Sequence, residues 1–520
     1  MYFGDWAARG GSYWPGRVAV VDVAKGAGGR FTYAALDERA NRLAAWLRDQ
    51  AGIRRGDRVG LVALNGVEVL DALFACGKLG ALLVPYNWRL HAAELAGALE
   101  RTAPGVLLYS GELGPLVASA LATSTSTAAA PRLLHLEPPG LPGSLDYGEA
   151  LAGSPAAPVA LADFRLEDPI CLLFTGGTTG QPKAAQVTFR QVAWNTFTTV
   201  LHELRPGDVT ITHTPMFHTG GLFVYTLPLL TLGGRVVLMR RWDAAQALEL
   251  LAAERVTLFF AVPTQYQQLL EAPGFQRADL SSLRFLTSGG APLPVPLREA
   301  WGAVHAVPFK QGFGMTEFGP GVFSMEPADA TRKAGTVGRV NQFVEAMLVD
   351  DAGHPVGVDQ VGELLLRGPA CCAGYWGDPA ATAAAIDGEG WLHTGDLARR
   401  DAEGFFTIAG RRKDMFISGG ENVYPLEIEA ALLTHPAVAL AAVVGVPDRR
   451  WGEVGHAFVT LKPGEAAEAA ALLEHLRGRL ARFKLPKAVT RLEAMPVSAA
   501  GKILKNDLRR LATPTTQDST

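Results

Sequence analysis

The chain has 520 residues, several times the usual domain of roughly 100–200, so two or three domains are expected. Hydrophobic residues make up 48% and charged residues 19%, which excludes disordered, collagen-like and coiled-coil classes. With 48 basic and 51 acidic residues the net charge is −3, leaving no basic excess to neutralise a phosphate polymer, so nucleic acid is not an expected partner.

The first residues, MYFGDWAARGG, carry neither a basic n-region nor an apolar h-region. The longest apolar runs, 222–232 and 437–446, fall short of the ~18 residues that span a bilayer. Cys76, Cys171, Cys371 and Cys372 form no CxxC pattern and read as reduced thiols packed as small core residues. A soluble, cytoplasmic protein is expected. Leu36, Ala40, Leu43, Ala44 and Leu47 share one face of a helix over 34–49, and 58–64 reads as a buried strand. Residues 121–153, containing STSTAAAP and EPPGLPG, lack periodicity and are expected as a loose surface connection. PICLLF at 169–174 is a strand-length apolar run that leads straight into a Gly/Thr-rich loop. Segments 346–349 and 362–367, separated by a DDAG turn, predict two strands with no long helix between them, an antiparallel or barrel-like subdomain. Near Arg412 a new compact unit begins. It has a helix over 425–433 with proline in its first turn, strands at 438–446 and 456–461, and a helix striped by Leu472, Leu473, Leu476 and Leu480. Strand and helix patterns alternate over most of the length, which predicts a multidomain α/β protein.

The sharpest local signal is Thr175-Gly176-Gly177-Thr178-Thr179-Gly180-Gln181-Pro182-Lys183. Three glycines let backbone N–H groups turn inward as an anion nest, and three threonine hydroxyls with one lysine add donors suited to a polyphosphate. It is not a Walker A loop, because Gln181-Pro182 separate the lysine from the last glycine. An ordinary glycine turn needs neither the threonines nor the lysine, so phosphate binding is the favoured reading.

This loop resembles the phosphate-loop signature of the adenylate-forming superfamily, which holds acyl-CoA synthetases, peptide-synthetase adenylation domains and luciferases. Gly176 stands where serine is most frequent. Further blocks resemble the same family in the same order: Pro215–Gly221 (PMFHTGG), Ser288-Gly289-Gly290-Ala291-Pro292, Gln311-Gly312-Phe313-Gly314-Met315-Thr316-Glu317, Gly374-Tyr375-Trp376, WLHTGD ending at Asp396, GRRKD from Gly410, PLEIE from Pro425, and Gly501-Lys502-Ile503-Leu504. Together they span roughly residues 30–510.

The resemblance implies a body over 1–411 with two doubly wound α/β subdomains and a β-barrel-like subdomain. A small mobile α+β lid over 412–512 follows, hinged near Lys413, then a disordered tail over 513–520. It also implies roles. Glu317 would hold Mg²⁺, which prefers one or two carboxylates plus substrate phosphates. Thr175, Gly176, Gly177, Thr178, Thr179, Gly180 and Lys183 would cradle ATP, with Thr178 and Lys183 assisting the chemistry. Gly290, Ala291, Pro292, Gln311, Gly312, Phe313, Gly314, Met315, Thr316 and Ile408 would surround the nucleotide, Phe313 stacking on adenine. Asp396 and Arg411 would hold the ribose. Lys502 resembles the mobile lysine that completes adenylation. His218, Val262, Gly289 and Gly314 would border the acyl pocket, and Gly419 and Gly420 the path of the coenzyme A thiol.

No GxSxG, HExxH or paired-cysteine metal signature is present. The expected activity is AMP-forming acyl-CoA synthesis from a carboxylic acid, ATP and coenzyme A. Transfer to a carrier protein, a luciferase-like oxygenase and a non-catalytic nucleotide sensor remain alternatives, and a homodimer stays open. The stretch Phe217-His218-Thr219 lacks the carboxylate usual for amino-acid substrates. The expected pocket segments contain no lysine or arginine, which points to a neutral aliphatic or aromatic tail.

Overall fold

In a computed structural model, residues 5–125, 129–159, 165–175, 182–291, 293–326, 328–477, 479–497 and 503–512 are described. The first half is built on a seven-stranded sheet. Its spatial order is Leu145–Asp146, Arg132–His135, Val106–Tyr109, Arg58–Val62, Leu82–Pro85, Pro169–Thr175 and Lys183–Thr188. All pairs are parallel except the last, where Pro169–Thr175 meets Lys183–Thr188 antiparallel. Its central strands are apolar at nearly every position because both faces are covered. Helices Tyr33–Asp49 and Val67–Leu79 pack on one face with Val59, Leu61 and Leu83, while Ala92–Thr102 and Gly114–Thr123 pack on the other with Val62, Val84 and Leu107.

The span 121–153 is more ordered than its sequence suggests. Two short strands in it, Arg132–His135 and Leu145–Asp146, extend the sheet, and Tyr147–Ala152 is a helix. Each element offers at most three buried positions, and Leu145–Asp146 none, too few for a periodic signal.

A second wound unit joins a four-stranded sheet (Val209–Thr212, Arg235–Leu238, Val18–Asp22, Arg30–Thr32) to a parallel three-stranded one (Leu258–Ala261, Phe285–Ser288, Phe309–Gln311). The Thr257 N–H donates to Val209 O across their seam at 2.9 Å. Under the three-stranded sheet Trp301 meets Tyr266 edge-on at 5.5 Å and Phe275 at 4.6 Å. Rigid aromatic packing of this kind fixes where the strand ends at Ser288 and Gln311 emerge.

The expected barrel-like region is an open antiparallel sheet, Glu345–Val349, Gly362–Arg367, Leu392–Arg400 and Phe406–Arg411, beside a three-stranded sheet Phe313–Met315, Gly319–Ser324 and Arg339–Val340. Four strands are too few to close around packed side chains. Instead the two sheets meet at Phe406, which exchanges backbone bonds with Gly338 and Val337 and lays its ring 4.6 Å from Phe323. Beyond them, Glu421–Val423, Phe416–Ser418, Gly452–Leu461 and Val438–Asp448 form a further sheet, with Ala488–Arg491 parallel to Gly452–Leu461. Pro425–Leu433 and Ala469–Arg477 cover one face, and Lys505–Ala512 the other through Leu508. All four cysteines are free and buried, as expected from their spacing. Among the described residues no helix is long and apolar enough to cross a membrane.

Candidate active site

The Gly/Thr loop is strung between two paired strands. Thr175 and Lys183 are direct cross-strand partners, and the Thr175 hydroxyl donates to Lys183 O at 3.4 Å. Gly176, Gly177, Thr178, Thr179, Gly180, Pro292 and Lys502 lie outside the described residues.

The segment Ala373–Trp376 lies along Lys183–Thr188 like an added strand. The Ala373 N–H donates to Gln186 O (3.1 Å), Gln186 N–H to Gly374 O (2.9 Å) and Trp376 N–H to Ala184 O (2.8 Å). Gly374 takes φ +106, and a Cβ there would run into Thr382, so only glycine fits. This docking aims Tyr375 inward. Lys183 Nζ sits 4.9 Å from the centre of its ring, and its hydroxyl donates to Glu317 Oε1 at 2.9 Å. Burial, then the Glu317 charge, pushes the Tyr375 phenol well above its ordinary pKa, so it remains a donor. The sequence blocks contain Tyr375 but assign it no role.

Glu317 is held from several sides. It turns the corner of a hairpin in which Met315 pairs with Gly319, and a Cβ on Gly314 would strike the Pro320 backbone. Its carbonyl accepts from Cys372 N–H at 2.7 Å, and the preceding carbonyl, of Thr316, accepts from Gln191 Nε2 at 2.9 Å. The carboxylate is buried. Tyr375 uses one of about four lone-pair directions on the carboxylate, which leaves capacity for a hard cation. Among the described residues no cluster of three His, Cys, Asp or Glu forms a self-sufficient metal cage. The donor set therefore fits Mg²⁺ shared between Glu317 and substrate phosphates, which is how this ion is ordinarily bound.

Two strand ends run side by side here: Ser288 pairs with Gln311, and Gly312 N–H donates to Ser288 O at 3.1 Å. This brings Gly289, Gly290 and Ala291 next to Gln311, Gly312 and Phe313. Phe313, Met315 and Ile408 pack on one apolar cluster with Phe323, Ala398 and Phe406. On the neighbouring strands Asp396 faces Arg411, Nε to Oδ1 at 2.8 Å, and Asp396 N–H donates to Thr394 Oγ1. The two expected ribose residues are thus together, Asp396 buried and Arg411 half-buried.

His218 caps the short helix Thr219–Leu222, its ring 4.4 Å from that of Phe217. Val262 starts Pro263–Glu271, its N–H donating to Gln265 Oε1. Between these elements stands Phe260, a residue absent from the sequence-based set. Its ring lies 3.1 Å from where a Cβ on Gly289 would be and 3.6 Å from one on Gly220. Behind it His213 Nε2 donates to Phe260 O at 2.8 Å, and Gln265 Nε2 donates to His213 Nδ1 at 3.2 Å. That pattern fixes the neutral tautomer, and burial pushes the imidazole down to about 4. The nearby cations are engaged elsewhere. Lys310 bonds His202 O and Glu203, both at 3.3 Å, and Arg339 lies over the Phe405 ring at 4.4 Å.

In the last sheet Gly419 and Gly420 form the tight turn between Phe416–Ser418 and Glu421–Val423. The half-exposed Trp451 covers Gly419 so closely that a Cβ would sit 2.8 Å from its ring, and Gly419 N–H donates to Trp451 O at 2.8 Å. Arg450 and Lys487 flank that ring at 4.9 and 5.9 Å. Lys413 lies between two anchors: Arg412 pairs with Glu363 and Asp351, and Asp414 with Arg509. Burial, with Arg411 and Arg509 nearby, lowers its pKa.

Residues 7–376 match the family model described as AMP-binding enzyme, and residues 427–502 match the model described as AMP-binding enzyme C-terminal domain. The chain belongs to this family, the adenylate-forming enzymes. It is 40% identical over 509 residues to a feruloyl-CoA synthase of Amycolatopsis sp., covering 98% of each chain. To the indoleacetate–CoA ligase of Aromatoleum aromaticum it is 38% identical over 515 residues, again covering 98% of each. Among solved structures, the anthranilate CoA ligase AuaEII in complex with anthranoyl-AMP superposes with a TM-score of 0.90 at 28% identity, over 98% of this chain and 97% of that one.

Two predictions follow from this geometry. Tyr375→Phe removes the hydrogen bond to Glu317 and should raise the KM for Mg·ATP about three- to ten-fold, a loss typical of one bond to a charged group. The thermal midpoint should barely move, since the ring remains. His213 has a folded pKa below its unfolded value of about 6.5. Between those two values the unfolded chain binds the extra proton, so the stability this group contributes is complete above pH 6.5 and is lost as pH falls towards 4. His213→Gln should therefore lose about 2 kcal/mol less than wild type between pH 7 and pH 5 in urea titrations.

Proposed function

We propose that this adenylate-forming enzyme is an acid–thiol ligase that joins a neutral-tailed carboxylic acid to coenzyme A at the expense of ATP. The observation that carries the site assignment is the row Lys183–Tyr375–Glu317 at the mouth of the Gly/Thr loop. It sets one cation and one carboxylate, held by a neutral donor, at the strand that follows the Gly/Thr loop in the chain.

In the first half-reaction the substrate carboxylate attacks the α-phosphorus of ATP, the α–β bridging bond breaks, and acyl-AMP and pyrophosphate form. Negative charge grows on the equatorial and leaving oxygens, and fixed donors lower that barrier. The backbone and hydroxyls of Thr175–Gly180 hold the phosphates, Lys183 neutralises the β/γ end, and Lys502 reaches the α-phosphate. Glu317 would hold Mg²⁺, which would supply charge neutralisation to the phosphates when bound. Phe313 stacks on adenine, and Asp396 with Arg411 takes the ribose hydroxyls. In the second half-reaction the thiol sulfur attacks the acyl carbon and AMP leaves.

Two reactions in one pocket need a lid with two faces. We assign the body to 1–411 and the lid to 412–512, with Lys413 as the hinge. The anchors support this: Arg412 is tied to body residues Glu363 and Asp351, and Asp414 to Arg509 of the last helix. A hinge needs a residue that turns between two fixed neighbours. Rotation would exchange the Lys502 face for the Gly419–Gly420 face, where Trp451 offers an indole to the adenine of coenzyme A and Arg450 and Lys487 meet its phosphates. The substrate is an aromatic or aliphatic acid. The engagement of Lys310 and Arg339 elsewhere supports a neutral tail, and the names of the relatives support an aromatic one. The four reduced thiols fit a cytoplasmic setting.

Pyrophosphate release across a panel of aryl and alkyl acids, with and without coenzyme A, tests the reaction. AMP release must depend on both acid and thiol, and acid-independent ATP hydrolysis would contradict the reading. Lys502→Ala should lower ATP–pyrophosphate exchange by roughly 10²- to 10³-fold, the cost of removing one transition-state donor, while synthetic acyl-AMP plus coenzyme A still yields thioester. Trp451→Ala should raise the KM for coenzyme A about ten-fold, the scale of one lost base–aromatic stack, while sparing pyrophosphate exchange.

A further inference from the structure

The strand Val209–Thr212 alternates strictly. Ile211 faces the core of the second wound unit, so Thr210 and Thr212 face the other way, towards the helix Thr226–Leu232. Thr212 Oγ1 is bonded to Thr226 Oγ1 at 2.6 Å, and Thr226 donates on to Gly221 O. The Tyr225 hydroxyl is likewise bonded to Thr287 Oγ1 at 2.6 Å. Thr210 differs. It is 1% exposed, and its hydroxyl has no hydrogen-bond partner among the described residues.

That hydroxyl lines a small recess of about 10 Å³, together with Tyr225, Thr226, Gly220 and Phe260, room for a single group of water's size. Leaving a buried hydroxyl unsatisfied costs about 1–3 kcal/mol, so a ligand group that reaches it recovers that cost. Phe260 is a shared wall: its ring bounds this recess beside Gly220 and also faces Gly289, where the acyl tail is assigned. The recess thus lies across the Phe260 ring from Gly289, next to the assigned acyl pocket.

We propose that Thr210 recognises a hydroxyl at the far end of the substrate tail, so that the enzyme prefers acids whose tail ends in a hydroxyl over the same acids without one. The inference rests on the assignment of this pocket as the acyl site of a coenzyme A ligase. The chemistry favours an uncharged group. None of the residues lining the recess is ionised at neutral pH, and His213 behind Phe260 is held neutral, so a buried carboxylate or ammonium would have no counter-charge. A hydroxyl can both donate to and accept from Thr210, and it matches the volume. A site built to bond a hydroxyl discriminates against the analogue that lacks it, because the protein group is then left unpaired.

The test uses the full-length enzyme and two matched pairs of acids, cinnamate with 4-hydroxycinnamate and decanoate with 10-hydroxydecanoate. The readout is kcat/KM for coenzyme A-dependent AMP release. The expected result is a preference of about ten-fold for the hydroxylated member of at least one pair, the scale of one recovered neutral hydrogen bond. In Thr210→Val the ratio should fall towards one, and in Thr210→Ser, which keeps the hydroxyl, it should persist. A wild-type ratio near one for both pairs overturns the proposal, as does a preference that survives Thr210→Val undiminished. Should Thr210→Val fail to fold, the wild-type ratios and their response to Thr210→Ser decide it. Absence of coenzyme A-dependent AMP release with every acid would overturn the ligase reading as well, whereas good turnover without a hydroxyl preference overturns this inference alone.

Discussion

The site depends on one backbone docking, that of Ala373–Trp376 along Lys183–Thr188. Three main-chain hydrogen bonds attach a segment from the antiparallel half of the molecule to the edge of the seven-stranded sheet. Each is worth only about 0.5–1.5 kcal/mol net, but together they set a register. That register decides which side chain faces inward, since a shift of one residue would replace Tyr375 by a neighbour pointing the opposite way. Through Tyr375 the phosphate-loop strand and the Glu317 hairpin become one rigid object, although about 130 residues of chain separate Lys183 from Glu317.

Charge is placed with the same economy. The acyl side contains a histidine, yet its two ring nitrogens are both used, one donating and one accepting, so it adds polarity and no charge. The buried Asp396 carboxylate is paired with Arg411. Residues 411–413 concentrate cations at Arg411, Arg412 and Lys413, with carboxylates at Glu363, Asp351 and Asp414 taking up Arg412 on one side and Arg509 on the other. The Arg412–Asp351 pair is exposed and therefore weak and screened by salt, whereas Glu363 and Asp414 are mostly covered.

Much of this was legible in the sequence, for physical reasons. A long amphipathic helix such as Tyr33–Asp49 declares itself by period, and Pro425–Leu433 by its initial proline; both lie where the pattern places them. Glu317, Phe313, Asp396 and Arg411 sit in short blocks whose glycines record backbone crowding, so their neighbourhood could be anticipated. What was hidden is what depends on contact between distant segments. Tyr375 is an aromatic after glycine until Glu317 comes to meet it. Phe260 and His213 are apolar-strand residues until Gly289 and Gln265 pack against them. The strands within 121–153 were too short to signal, and the antiparallel region was read as barrel-like because strand pattern alone does not say whether a sheet closes.

The glycines around the acyl space do not offer equal room for change. A side chain at Gly314 would collide with backbone at Pro320, which has nowhere to go. At Gly289 it would press on the edge of the Phe260 ring, and at Gly220 it would meet only a threonine methyl at 3.4 Å and the same ring at 3.6 Å. The Gly314 position is therefore fixed by the fold, and Gly220 and Gly289 are adjustable through a single aromatic side chain. Drift in substrate preference among descendants of this enzyme, natural or bred, has a direction built into it: it will run along the Gly220–Phe260 side and leave the hairpin that carries Glu317 untouched.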